Sequence, residues 1–343
     1  MKFDTHTFPS VIESSNALLT NITTNRLDGL KLQHNDQDYL VGNLALVEGS
    51  SPHKAINCAP DEIDYQILVK AALSIANRMT NGRALNVTAG FPYSTYQVFK
   101  EAAAGYISGV DSIKLDERPF GGYDYRNSEL RISKVEIVPE LIGSIIAVRQ
   151  NMMSMRGGMF IVSLGYGTLE IGLSTDNGII QRSFNSGNGI RFALDAAMKE
   201  LSASYYLGLR TEHQFDESFR MGSIIANRKR VDLSELRKKV LTQYYRDVIS
   251  PTIRNTWTDE DFNRVSNLVL VGGGAHYTEL VNLFKEEFDG ILNLEVPDEP
   301  HKIASQGYAL HAKNNRGDSD GEPVGIDIGN STTSVSLIVD DFA

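Results

Sequence analysis

The sequence is poor in the residues that staple, anchor or metallate a chain. Cys58 is the single cysteine among 343 residues, which excludes a disulfide framework and a cysteine-based metal site and suits a reducing cytoplasm. The seven histidines are scattered with no His-x-x-x-His spacing, so zinc-dependent hydrolysis is not expected. No apolar run approaches the ~20 residues that a membrane-crossing helix needs. The opening Met1-Lys-Phe-Asp-Thr-His lacks the apolar stretch of a signal peptide. Positive charge is scarce too. A net charge of −10 and a pI near 5.3 argue against tight, non-specific nucleic-acid binding by the whole surface.

What remains is ordinary for a globular protein: 41% hydrophobic and 22% charged residues, in a chain long enough for two domains or one bilobal one. Residues 1–60 read as rich in strands and turns, with residues 36–45 a strand running into a glycine turn. Apolar residues at helical spacing predict a helix over Glu62–Asn81. A buried strand follows at Ala84–Pro92, then a helix at Ser94–Ala104. Strand alternating with helix predicts an α/β sheet. Val135–Val148 reads as strand then helix, with Pro139 at the helix start, where a missing N–H is harmless. Glu140 falls in the first turn, where the helix dipole favours a carboxylate.

Met159–Leu173 reads as strand, turn and strand, the turn being Gly165-Tyr166-Gly167-Thr168. A helix is expected over Ile190–Leu207, an irregular charged region over Arg210–Arg230, and a long helix over Asp232–Ile249 ended by Pro251. The apolar run Val265–Val271 meets three glycines, Gly272, Gly273 and Gly274, then Ala275 and a helix over Tyr277–Phe288. Bare backbone after a strand suits a flat ligand. After a helix at Ile303–Lys313, residues 314–323 are polar and linker-like.

The tail, Val324-Gly-Ile-Asp-Ile-Gly-Asn-Ser-Thr-Thr-Ser-Val-Ser-Leu337, repeats the strand–turn–strand pattern. Its turn, Gly329, Asn330, Ser331, Thr332 and Thr333, gathers amide N–H groups and hydroxyls in a way that suits phosphate. Asp327 at the strand end suits a hydrated divalent cation. Two such hairpins facing each other would grip a phosphate chain from both sides, with the triple glycine carrying the base.

This set of motifs resembles the actin-like ATPases, a superfamily that includes sugar kinases and heat-shock chaperone ATPases, and within it the ParM/StbA group of prokaryotic plasmid-segregating actins. The phosphate-1 motif matches Asp327–Thr333, phosphate-2 Ser163–Glu170 and the adenosine motif Val271–Ala275. The connecting segments match Val138–Gly143 and Ala304–Ala309. The resemblance covers nearly the whole chain and implies a bilobal α/β fold, two ribonuclease-H-like lobes around a nucleotide cleft. One lobe would be residues 1–150 with 303–343, the other 151–302. In the family phosphate-1 comes first; here it comes last, so the sequence looks circularly permuted.

The resemblance also implies roles. Asp327 would hold the waters of Mg2+, and Gly329, Asn330, Ser331 and Thr332 the β- and γ-phosphates of ATP (or GTP). Gly165, Tyr166, Gly167 and Thr168 would hold the other side, and Glu140 would orient the attacking water. Gly272, Gly273, Gly274 and Ala275 would carry adenosine, with Gly189 and Lys238 near ribose or base. Ser163 stands where the family usually has Asp, and Ser334 where many members have Lys, so slow hydrolysis is expected. Glu170 is a partial substitute for that Asp on one reading, but at Thr-Leu-Glu it is expected to face solvent. The function implied is a filament-forming cytoplasmic ATPase that moves DNA through an adaptor, touching neither DNA nor membrane. The alternatives are a chaperone-like, reactivase-type ATPase or a small-molecule kinase.

Overall fold

The tail folds into the middle of a sheet. Glu322–Ile328 and Thr332–Val339 form an antiparallel hairpin in the computed structural model, which describes residues 1–22, 29–151, 157–207 and 212–339. The first of these strands runs parallel to Leu85–Phe91, and the second pairs antiparallel with Lys2–Pro9. Ile132–Pro139 completes the five-stranded sheet beside Leu85–Phe91.

The alternation of the hairpin explains its placement, because successive side chains leave a strand on opposite faces. Val324, Ile326 and Val335 are buried in one apolar cluster with Ile67, Leu68 and Ala71 of the helix Ile63–Met79. Gly325, Asp327, Ser334 and Ser336 point the other way, towards the helix Ile303–Asn314. That helix lies so close that a Cβ on Gly325 would stand 1.9 Å from the Ser305 carbonyl oxygen. Ser336 and Ser305 join their hydroxyls at 2.8 Å. The same helix meets Glu140–Asn151 backbone to backbone, since a Cβ on Gly307 would stand 1.7 Å from the Gly143 oxygen.

These elements belong to one compact unit, made of Met1–Phe91, Thr95–Ala147 and the segment from Ala304 onward. Its second sheet has six strands, in the order His53–Lys54, Val11–Ser14, Gln37–Gly42, Gly29–His34, Ser112–Asp116 and Tyr125–Glu129. The other unit comprises Pro92–Ser94 and Val148–Ile303. Its five-stranded sheet runs Gly178–Asn188, Thr168–Thr175, Met159–Leu164, Asn267–Val271 and Asn293–Glu295. Phe160, Val162, Leu164, Leu169, Ile171 and Leu173 pass into its core, where Trp257 lies with its ring centroid 4.2 Å from that of Phe160.

Several expectations need correcting. Within the region expected to be irregular, Glu212–Met221 is a helix, because Phe215 and Phe219, four apart, are both buried. The strands Ser223–Ala226 and Lys229–Asp232 follow as a hairpin; residues 210 and 211 lie outside the described ones. Pro251 does not stop the long helix. Ser234–Tyr244 passes through a widened turn, Tyr245–Ile249, into Ser250–Thr256, with Pro251 at the start of that last segment. The widened turn, closed by the Ser250 N–H on the Tyr245 carbonyl, opens the ladder just ahead of Pro251 and makes room for its ring and missing N–H. The linker-like stretch is also shorter than its composition suggests, since the preceding helix reaches Asn314 and the strand already begins at Glu322.

Candidate functional site

The tail turn is built by one glycine. The Gly329 N–H donates to the Thr332 carbonyl at 3.1 Å, and a Cβ there would stand 2.8 Å from the same oxygen. Ser10, between the strands Lys2–Pro9 and Val11–Ser14, fastens the turn: its hydroxyl donates to the Gly329 carbonyl at 2.6 Å, its N–H donates to the Ser331 carbonyl at 3.0 Å, and it shares a hydroxyl contact with Thr333 at 2.9 Å. The Asn330 side chain is held by Asn57 through two hydrogen bonds, of 2.6 and 2.8 Å. The Gly329 amide and the Asn330 carboxamide thus serve the turn itself. Nothing in the sequence points to Ser10 or Asn57 as partners of this turn, since both are brought to it by the strands beside them, Lys2–Pro9 and His53–Lys54.

Asp327 stands at the end of the first strand, in register with Ser334, which is in turn in register with Thr7. Ser334 and Thr7 join hydroxyls at 2.9 Å. Glu140 opens its helix directly after the strand that ends at Pro139, which is still a strand residue. Burial, reinforced by the charge of Glu140, pushes the Asp327 carboxyl up to about 8. A carboxyl that resists ionisation beside a second carboxylate marks a spot where positive charge is welcome. A hydrated divalent cation is one group whose charge such a spot could accommodate, although no cluster of three or more metal-ligating side chains occurs among the described residues.

In the other unit, three predicted groups come together. The Gly165 N–H donates to the Thr168 carbonyl at 2.9 Å, the same closure as in the tail turn. Gly189 sits on this turn: a Cβ there would meet the oxygens of Tyr166 and Gly165 at 2.5 and 2.6 Å. The amides of Gly189, Ile190 and Arg191 donate to the carbonyls of Gly167, Gly165 and Tyr166, so the helix Arg191–Ser202 starts on the turn. Gly272, at φ 83°, presses its backbone against Leu164, and Gly274 packs on Leu164 and Ile190. Gly273 is exposed, and a Cβ there would meet nothing within 4 Å, which leaves bare backbone for a flat ligand. Ala275 is buried in the short turn that follows.

One expectation fails here. Glu170 does not face solvent. It is 1% exposed, in register with the buried Ser163, and accepts from the Tyr93 N–H at 2.5 Å and the Ser186 hydroxyl at 3.2 Å. Its strand lies inside the sheet, covered on both faces, so no position on it is a solvent position. Lys238 is exposed on its helix. The residue there that reaches the element after the triple glycine is Arg237, whose Nε lies 2.8 Å from Glu279. Helical periodicity gave no reason to prefer one of these two neighbours.

Comparison with known proteins agrees with this geometry. Residues 2–143 match the model of the actin-like proteins' N-terminal domain, and residues 151–282 match that of the C-terminal domain of archaeal MreB-like actin homologues. No curated protein matches the chain. Among solved structures, a non-polymerisable quadruple mutant of pCBH ParM superposes with a TM-score of 0.71 at 19% identity, covering 90% of this chain and 92% of its own. A 15-stranded ParM filament from Clostridium botulinum gives 0.67 at 16% with the same coverage. The archaeal actin homologue Ta0583 in complex with ADP gives 0.65 at 16%, again with the same coverage. At such identities the likeness shows the fold. With two successive actin-like domain models matched over most of its length, the chain belongs to the actin-like superfamily.

Proposed function

We propose that this protein is a nucleotide-dependent, filament-forming ATPase of the ParM type. The observation that carries this reading is the repeated turn: two hairpins, one per unit, each closed by a glycine N–H on a threonine carbonyl three residues on, one of them beside the Asp327–Glu140 pair. Ser331 and Thr332 in one turn, and Gly165 to Thr168 in the other, hold the phosphates of ATP (or GTP). Asp327 holds the waters of Mg2+, which supplies neutralisation of phosphate charge when bound. Glu140 orients the attacking water and accepts its proton. Gly272 to Ala275 carry the base. Ser163 leaves the second turn without the carboxylate usual in the family, and turnover is slow.

The order of the motifs supports a circular permutation. Both domain models match the chain ahead of residue 283, and the tail hairpin beyond them completes the sheet between Lys2–Pro9 and Leu85–Phe91. Filament formation is supported by the likeness to a ParM filament. The acidic chain suits work on DNA through a basic adaptor rather than by contact, and among the described residues no helix is long and apolar enough to cross a membrane. A cytoplasmic segregation or positioning filament is the role that follows.

Right-angle light scattering and pelleting with ATP test the proposal, with negative-stain images in a non-hydrolysable analogue. Filaments that appear only with nucleotide are expected. Phosphate release without polymer would overturn the filament reading and favour a chaperone-like ATPase or a kinase.

A further inference from the structure

Within the first unit, one cation is built into the tail turn from a segment that carries no recognisable motif. Lys54 lies on the two-residue strand His53–Lys54, in register with Val11, and is only 8% exposed. Its ammonium donates to the Ser331 hydroxyl at 3.4 Å. The chain around it is locked to the same turn. The Ala55 N–H donates to the Ser10 carbonyl, Ser10 donates to the Ser331 carbonyl, and Asn57, at φ 51°, exchanges two hydrogen bonds with Asn330. Lys54 is therefore held at the turn rather than sweeping past it on a mobile loop.

At position 334, where the family resemblance leads one to expect a lysine, Ser334 spends its hydroxyl on Thr7 at 2.9 Å. Phosphoryl transfer depends on positioned positive charge. We propose that Lys54 is a phosphate-binding residue that contacts the terminal phosphates of the nucleotide and takes the place of the cation missing at position 334. This rests on the nucleotide reading above and adds a residue to it.

Calorimetric titration of the full chain with ATP and with AMP, in magnesium, tests it. Lys54→Met, which keeps the aliphatic stem, is expected to lose about tenfold or more in ATP affinity, the worth of a charge-assisted hydrogen bond, while AMP affinity stays at the parent value. Lys54→Arg, which keeps the charge, should stay within a few-fold for ATP. Should the methionine variant fail to fold by circular dichroism, Lys54→Gln keeps a donor for Ser331 and is read in the same way. Parent-like ATP affinity in the neutral variant overturns the assignment, and so does an equal loss for ATP and AMP, which would make Lys54 a brace of the turn. A parent chain that binds neither nucleotide overturns the nucleotide reading itself, a result distinct from both.

Discussion

The two glycine turns close in the same way and carry their acids on opposite strands. In the tail hairpin the acid, Asp327, is on the incoming strand with Ser334 in register; in the other hairpin Ser163 is on the incoming strand with Glu170 in register. Asp327 has a second carboxylate beside it and a raised proton affinity. Glu170 accepts hydrogen bonds from a backbone N–H and a hydroxyl. In one turn the acid faces a like charge, and in the other it is met by neutral donors. Similar backbone geometry does not imply similar chemistry: what differs is whether neutral donors or a like charge surround the carboxylate.

The comparison can be broken most decisively at Asp327. Asp327→Ala is expected to abolish magnesium-dependent ATP binding in calorimetry, and retained binding would remove the distinction between the two acids. Glu140→Gln should leave ATP affinity within a few-fold and slow phosphate release by about 100-fold, the usual scale for a lost general base; turnover at the parent rate would take Glu140 out of the mechanism. Glu170→Ala should act on stability instead. Leaving buried donors without this acceptor costs about 1–3 kcal/mol, visible as a lower urea midpoint with near-parent ATP affinity. Lost binding at unchanged stability would move Glu170 into the same class as Asp327.

The smallest effect concerns a feature beside the triple glycine that the tail turn lacks. His276 and His301 join ring nitrogens at 2.9 Å. Burial holds both below the usual histidine value, with Arg220 adding to the effect on His276, and His276 and Lys302 adding to that on His301, against the opposing pull of Glu299. A lowered value means that the unfolded chain takes up protons first. The pair's contribution to stability is therefore complete above the ordinary value of 6.5 and is lost as pH falls through the lowered ones. The melting temperature should drop as the pH falls below 6.5, and His301→Ala should flatten that slope. An unchanged slope would assign the acid sensitivity elsewhere.

Much of this was legible in the chain, for local reasons. Strand alternation at Val324–Leu337, helical spacing at Ile63–Ile75 and the glycine turns at Gly165 and Gly329 are short-range patterns, and each produced the element it predicts. The errors fell where a remote neighbour decides. Glu170 reads as a surface residue until the strands on both sides of it are known. The helix at Glu212–Met221 is mostly polar and declares itself only through the burial of Phe215 and Phe219. Pro251 is a stop signal unless the preceding turn widens to admit it.

Sequence alone determined the turns, because each needs, three residues ahead of a threonine, a residue without a Cβ to let the threonine carbonyl close on its N–H. Tertiary structure decided which side chains those turns meet: Ser10, Lys54 and Asn57 against the tail, and Gly189 and Leu164 against the other hairpin and the triple glycine. Those partners lie far away along the chain. Sheet register and helix crossing bring them within hydrogen-bonding reach, and neither can be read from a window of neighbouring residues.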